Sequence, residues 1–268
     1  MDYKKILAAT AAVIGTVAMA DGIVSSSVVG YMTVQRPAGY QNSFGGSFFM
    51  NCGSDSYTLA DIQISGPASK ANGRNNYIAF MSSSGMKLDK VRSYWWDPVG
   101  LKWRVRSGTN FNNDPDVADP SAVKINPGEG FLCSFAHATT TVTYSGEVLT
   151  GTDGRFTVTR PEGYQNFVTV NTSGGEISLS QITISGPATK ANGRNNYIAF
   201  MSDTGMKIDK TRSYWWDPVA LKWRVRSGTN FNNDPDVEDA TQVKIGAGEG
   251  FMCSFAQATT TITMPTSL

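Results

Sequence analysis

RSYWWDPVGLKWRVRSGTNFNNDPDV at residues 92–117 returns as RSYWWDPVALKWRVRSGTNFNNDPDV at 212–237, with Gly100 exchanged for Ala220 as the one change. Outward from this stretch the match continues. Residues 61–140 and 181–260 align at a constant offset of 120, and 64 of the 80 positions are identical. Further upstream, MTVQRPAGYQN (32–42) matches FTVTRPEGYQN (156–166) at an offset of 124. The first copy therefore carries four extra residues within Ser43–Met50, an insertion that a hairpin loop takes most easily. A repeat of this length sets the architecture before any other reading: one unit, written twice.

The unit reads as β-structure. Short Val/Ile/Thr/Tyr/Phe/Trp runs alternate with Gly, Asn, Asp and Ser clusters, and no long amphipathic helix pattern occurs. The expected fold is all-β, with two tandem homologous β-sandwich or small-barrel domains after a signal peptide. The boundaries are 1–20 for the signal peptide, 21–150 for the first repeat and 151–268 for the second. Asn72-Gly73 and Asn192-Gly193 read as tight hairpin turns. TLADIQI and SLSQITI read as a short helical turn or irregular segment. SGEV (145–148) reads as a closing strand that the second copy lacks.

The opening stretch predicts a hairpin. Asp97-Pro98-Val99-Gly100 forms its turn, with Pro at a favoured corner. That turn pairs Trp96 with Leu101 and Trp95 with Lys102. Alternation then places Tyr94, Trp96, Leu101, Trp103 and Val105 on an inner face, and Trp95 with Lys102 and Arg104 on an outer one. Trp215, Lys222 and Arg224 repeat the outer set. A flat indole on an exposed sheet face suits a sugar ring, so these six residues form a candidate ligand-binding platform. A cation–π ladder that shields the sheet, or burial of both faces, explains the same residues without a ligand.

The N-terminus reads as a secretory signal. Lys4 and Lys5 precede a short apolar run, Ile6 to Val17, and Ala18-Met19-Ala20 is a small-x-small cleavage site. Its removal takes two Lys and one Asp, leaving 21 charges of each sign and a mature formal charge of zero. That balance excludes the basic footprint of a nucleic-acid binder. No later segment is apolar for long enough to suggest a membrane span. Three cysteines, Cys52, Cys133 and Cys253, leave at least one unpaired. They read as buried thiols, with a Cys52–Cys133 bridge as the alternative.

Several segments resemble a known group. Val28-Val29-Gly30-Tyr31, Ala38-Gly39-Tyr40, Leu59-Ala60-Asp61-Ile62, Pro127-Gly128-Glu129-Gly130-Phe131 and Ser145-Gly146-Glu147-Val148 are similar to segments of small exported β-rich proteins. These occur in many paralogues in Verrucomicrobia, Lentisphaerae and Kiritimatiellota-type bacteria. The resemblance spans the first repeat and, less completely, the second. It implies secretion and a β-rich unit, and no activity.

A reaction centre present in one copy cannot be what both copies do. His137, the sole histidine, is matched by Gln257, so a Ser-His or Cys-His mechanism is confined to one copy at most. Cys and His occur at no zinc-ligand spacing. Asp97 and Glu129, with Asp217 and Glu249, are a carboxylate pair in both copies, but each sits in a turn that explains it. A denser oxygen-rich run comprises Asn112, Asp114, Asp116 and Asp119, repeated as Asn232, Asp234, Asp236 and Asp239. Such a run suits Ca2+, a hard cation that takes six to eight oxygens, or else caps its own backbone. No cofactor is required. The sequence thus predicts a non-enzymatic, secreted or cell-surface structural protein that self-assembles into a surface layer, filament or matrix. The alternative is a carbohydrate-binding or adhesion module, with a polysaccharide as its partner.

Overall fold

The computed structural model describes residues 12–14, 29–46, 57–82, 88–126, 128–149, 153–202, 207–228 and 230–266. A short β1 (Ala12–Ile14) precedes the first repeat. That repeat contains β2 (Val29–Arg36), β3 (Tyr40–Gly45), β4 (Tyr57–Thr58), β5 (Ile62–Ser65), β6 (Asn76–Met81), β7 (Leu88–Asp97), β8 (Lys102–Val105), β9 (Lys124–Ile125), β10 (Phe131–Phe135) and β11 (Thr140–Glu147). The second repeats the series: β12 (Arg155–Arg160), β13 (Tyr164–Val170), β14 (Ile177–Ser178), β15 (Thr183–Ser185), β16 (Asn196–Met201), β17 (Ile208–Asp217), β18 (Lys222–Val225), β19 (Lys244–Ile245), β20 (Gly250–Phe255) and β21 (Thr260–Pro265). The α-helices among the described residues are two six-residue turns, α1 (Lys70–Asn75) and α2 (Lys190–Asn195). The chain is all-β, and its duplication is visible strand by strand.

Each repeat folds into two principal antiparallel sheets. One runs β2-β11-β5 in the first repeat and β12-β21-β15 in the second; β1 adds to the outer edge of β2. The other has five strands, β3-β10-β6-β7-β8 and β13-β20-β16-β17-β18. The alternation along β11 shows why these residues make a sheet. Val142 and Tyr144 are buried, while Thr141 and Thr143 between them point outward. Met32, Val34, Ile62, Ile64, Val142 and Tyr144 share one core with Ile78, Phe80, Tyr94, Trp103, Phe131 and Phe135 of the five-stranded sheet. The second repeat builds the equivalent core.

A third core joins the repeats. Phe44, Tyr77, Ala79, Trp95 and Leu132 of the first pack with Val168, Ala199, Met201 and Met252 of the second. These residues lie on the faces of the five-stranded sheets that point away from each repeat's own core. The junction has two-fold character. Gly45 bridges to Glu249 across it, and Glu129 bridges to Thr169, its repeat equivalent. Close approach there requires glycine: a Cβ on Gly130 would stand 2.8 Å from Val168 Cγ1 and 3.0 Å from the Gly45 carbonyl oxygen.

Three local expectations are corrected. Asn72-Gly73 and Asn192-Gly193 lie inside α1 and α2 and turn no hairpin. Gly73 is needed there because a Cβ would meet the Trp96 carbonyl oxygen at 2.5 Å. Ser145, Gly146 and Glu147 of SGEV are the end of β11, paired with Tyr31, Gly30 and Val29, so the second copy has a shorter strand and not a missing one. The hairpin register is displaced. Trp96 pairs with Trp103 and Asp97 with Lys102, so the loop is 98–101 and Leu101 is an exposed loop residue at φ 49°. The short helical turns do occur in TLADIQI and SLSQITI, at Leu59–Asp61 and Leu179–Gln181.

Candidate functional site: the duplicated hairpin and its carboxylate loop

The hairpin β7–β8 and the loop after it form one polar knot. Asp114, at 2% exposure, is its hub. Its carboxylate accepts from Arg74 Nε at 2.6 Å and Trp95 Nε1 at 2.9 Å. It also accepts from Ser107 N at 2.8 Å and Ser107 Oγ at 3.2 Å. Arg74 Nη2 donates to the carbonyls of Ser107 and Gly108. A buried carboxylate is tolerable only when paired and hydrogen-bonded in this way. The second copy reproduces the knot with Asp234, Arg194, Trp215 and Ser227.

Next to it, Arg104 Nε donates to Asp97 Oδ2 at 2.8 Å, and its Nη1 reaches the Asp114 carbonyl at 2.8 Å. Its guanidinium lies 5.7 Å from the Trp95 ring centroid. Lys102 and Arg104 both pair with Asp116. Asp97 Oδ1 accepts the backbone N–H groups of Val99 and Gly100 and so holds the loop from beneath. Burial pushes the Asp97 carboxyl up, but those two N–H groups and Arg104 outweigh it and hold the acid below its ordinary range; Asp217 behaves alike.

The sugar platform is thereby overturned. Trp95 and Trp215 are 0% exposed; Trp95 lies in the core that joins the repeats, and the indole N–H groups of the two donate to buried Asp114 and Asp234. The grouping of Trp95 with Arg104, and of Trp215 with Arg224, does occur, as a buried cation–π contact. Lys102 and Lys222 are tied to Asp116 and Asp236.

The carboxylate loop is not gathered around a common point. Asp114 faces Arg74, Asp116 faces Lys102 and Arg104, and Asp119 caps the turn at Ser121. Asn112 is exposed, and its N–H donates to Asn110 Oδ1. Asn232, Asp234, Asp236 and Asp239 follow suit. Among the described residues no cluster of three or more His, Cys, Asp or Glu is arranged to hold a metal ion. Asp114, Asp116, Asp234 and Asp236 are balanced by the protein's own Arg and Lys.

The remaining reactive groups are engaged too. Exposed His137 donates its backbone N–H to Asn76 Oδ1, and Gln257 does the same to Asn196, so the slot serves the loop in both copies. Glu129 and Glu249 are ion-paired with Arg92 and Arg212. Cys133 and Cys253 are free, buried thiols, and burial pushes Cys133 up to about 12 and Cys253 higher still. Neither supplies a thiolate at neutral pH. Cys52 lies outside the described residues. Sequence reasoning missed Arg74 and Arg194. The signal for them was an Arg inside each repeated ANGRNN block, opposite an aspartate that burial obliges to find a cation.

Comparison with known proteins returns nothing that bears on this arrangement: no family model, curated protein or solved structure matches the chain.

Proposed function

We propose that the protein is an exported structural subunit that assembles with copies of itself by strand addition, each repeat being a two-layer β-sandwich. The face-to-face cores support the sandwich. A four-bladed ring would also use four principal sheets, but blades are successive four-stranded sheets. The order β3-β10-β6-β7-β8 is not successive.

The observation that carries the assembly reading is the edge of β12. An exposed strand edge is a template for another chain, and proteins blunt it with short strands, Lys, Pro, bulges or cover. The edge of β2 is covered by β1, which lies in the segment expected to be removed as a signal peptide, so in residues 21–268 β2 stands open as β12 does. The remaining edges are handled. Asp116 bridges to Arg104 on β8, and Asp236 to Arg224 on β18. The edges of β3 and β13 meet the opposite repeat. β5 and β15 have four and three residues. β12 has six regularly paired residues, its only charges are Arg155 and Arg160 at the two ends, it has no Lys, no Pro and no bulge, and no strand among the described residues pairs its outer edge. Residues 21–28, which precede β2 and lie outside the described residues, would supply the added strand in the next copy. The zero mature charge leaves little repulsion to oppose such contact. Removing residues 21–28 tests the reading: assembly is lost if they are the donor, and unchanged assembly refutes that role.

One observation favours glycan binding on a different surface. Tyr31 is 42% exposed beside Thr33, Gln35, Gln63, Thr141 and Thr143 on the outer face of β2-β11-β5. That face has Thr33 and Thr143 hydroxyls in contact at 3.3 Å and carries no charge at these positions. If it binds glycan, Tyr31→Ala abolishes retention on a polysaccharide column and leaves assembly intact. Equal retention of both forms contradicts this reading.

A further inference from the structure

Each hairpin ends in a loop without a single polar side chain: Pro98-Val99-Gly100-Leu101 and Pro218-Val219-Ala220-Leu221. Such loops ordinarily use Gly, Asn, Asp or Ser. Val99 and Leu101 are 64% and 72% exposed, and Val219 and Leu221 are 65% and 70% exposed. Leu101 and Leu221 also sit at φ 49° and 52°. That left-handed conformation disfavours a leucine, and strain of this kind concentrates where a side chain must be displayed. The loop is held from beneath: buried Asp97 accepts the N–H groups of Val99 and Gly100 and is itself bonded by Arg104.

Around the base of the loop stands a cationic collar. Lys70 lies 3.8 Å from Asp97, and Lys102 and Arg104 pair with Asp116. Three cations meet two carboxylates, so each collar keeps one net positive charge; Lys190, Lys222 and Arg224 against Asp217 and Asp236 repeat it. We propose that each hairpin tip is a docking point for an anionic lipid surface, with Val99 and Leu101 of one, or Val219 and Leu221 of the other, entering the acyl boundary and the collar meeting headgroup phosphates. A four-residue knob is too small to make a specific protein interface by itself, which needs about 1,000 Å² and a matching concavity. A bilayer demands no matching shape, and apolar side chains ringed by basic ones are what its interface accepts. This docking is independent of strand addition at β12.

The test uses residues 21–268, which retain all three cores, since the first core residue is Met32. The probe is phosphatidylcholine vesicles containing about one third phosphatidylglycerol, against phosphatidylcholine alone. The double variant Leu101→Asn, Leu221→Asn places a residue that accepts positive φ at both tips, so its melting temperature holds or rises. The parent co-sediments with the anionic vesicles, and binding weakens with salt. The variant loses roughly tenfold or more in affinity. Absence of parent binding, or equal binding by the variant, overturns the proposal. So does a variant that keeps binding but loses self-association, which would assign the tips to a second copy.

Discussion

Asp97 and Asp114 show how a side chain can be right in the sequence and wrong in its assigned partner. Asp114 lies in the oxygen-rich run that suggests calcium, and Asp97 opens the DPVG turn and belongs to the carboxylate pair. In the fold they meet Arg104 and Arg74, the latter 40 residues away in sequence. Nothing local announces that distance, whereas the capping of Val99 and Gly100 by Asp97 was legible as turn chemistry. The depressed acidity of Asp97 and Asp217 has a stability consequence. Stabilisation from a lowered carboxyl is complete above the unfolded value of about 3.9 and is lost as pH falls through the folded one. The melting temperature is therefore expected to stay level from neutral pH to about pH 5 and to drop below about pH 4. Asp97→Asn with Asp217→Asn flattens that acid limb while lowering the neutral plateau. Calorimetry across pH checks it; an unchanged acid limb contradicts it.

At the scale of elements, alternation correctly separated Trp95 from Tyr94 and Trp96. It failed in assuming that the second face meets water. An antiparallel sheet often has one wet face. Here β6 carried the contrary signal, for Tyr77, Ile78, Ala79 and Phe80 are consecutive buried residues, as a strand covered on both sides requires. The register differs from the sequence expectation because Asp97 ends β7 and caps the loop from the strand instead of opening the turn. Asn72-Gly73 misled for a related reason: glycine there answers to a close contact and not to positive φ. Helix α1 lies against the hairpin, with the Gly73 Cβ position 2.5 Å from the Trp96 carbonyl oxygen and 2.9 Å from Pro98 Cδ. Gly73→Ala, which ordinarily favours a helix by up to about 1 kcal/mol, is instead expected to destabilise by roughly 1–3 kcal/mol in denaturant titrations. A gain in stability would show that α1 stands further from β7 than described.

Across the whole molecule, the duplication was fully legible, but its consequence was not. Two tandem domains, each with its own core, are what the sequence predicts; each repeat has such a core, and a third joins them through the outer faces of their five-stranded sheets. Contacts across a chain of this length leave no periodic trace, and the glycines that permit them, Gly130 and Gly250, read as turn residues. Burying those faces against each other leaves the three-stranded sheets and their edges as the outward surfaces, and β12, together with β2 once β1 is removed, is an edge that no strand covers. Self-assembly through that edge is the claim on which the functional account stands. The direct test is negative-stain electron microscopy of residues 21–268, of 29–268, and of 21–268 carrying Thr157→Lys with Thr159→Lys, each with and without chelator. Ordered filaments or sheets are expected from the first, dispersed particles from the other two, and no effect of chelator, because Arg and Lys already pair with Asp114, Asp116, Asp234 and Asp236. Dispersed particles from the unaltered chain, or assemblies that persist when the β12 edge carries two lysines, would contradict it.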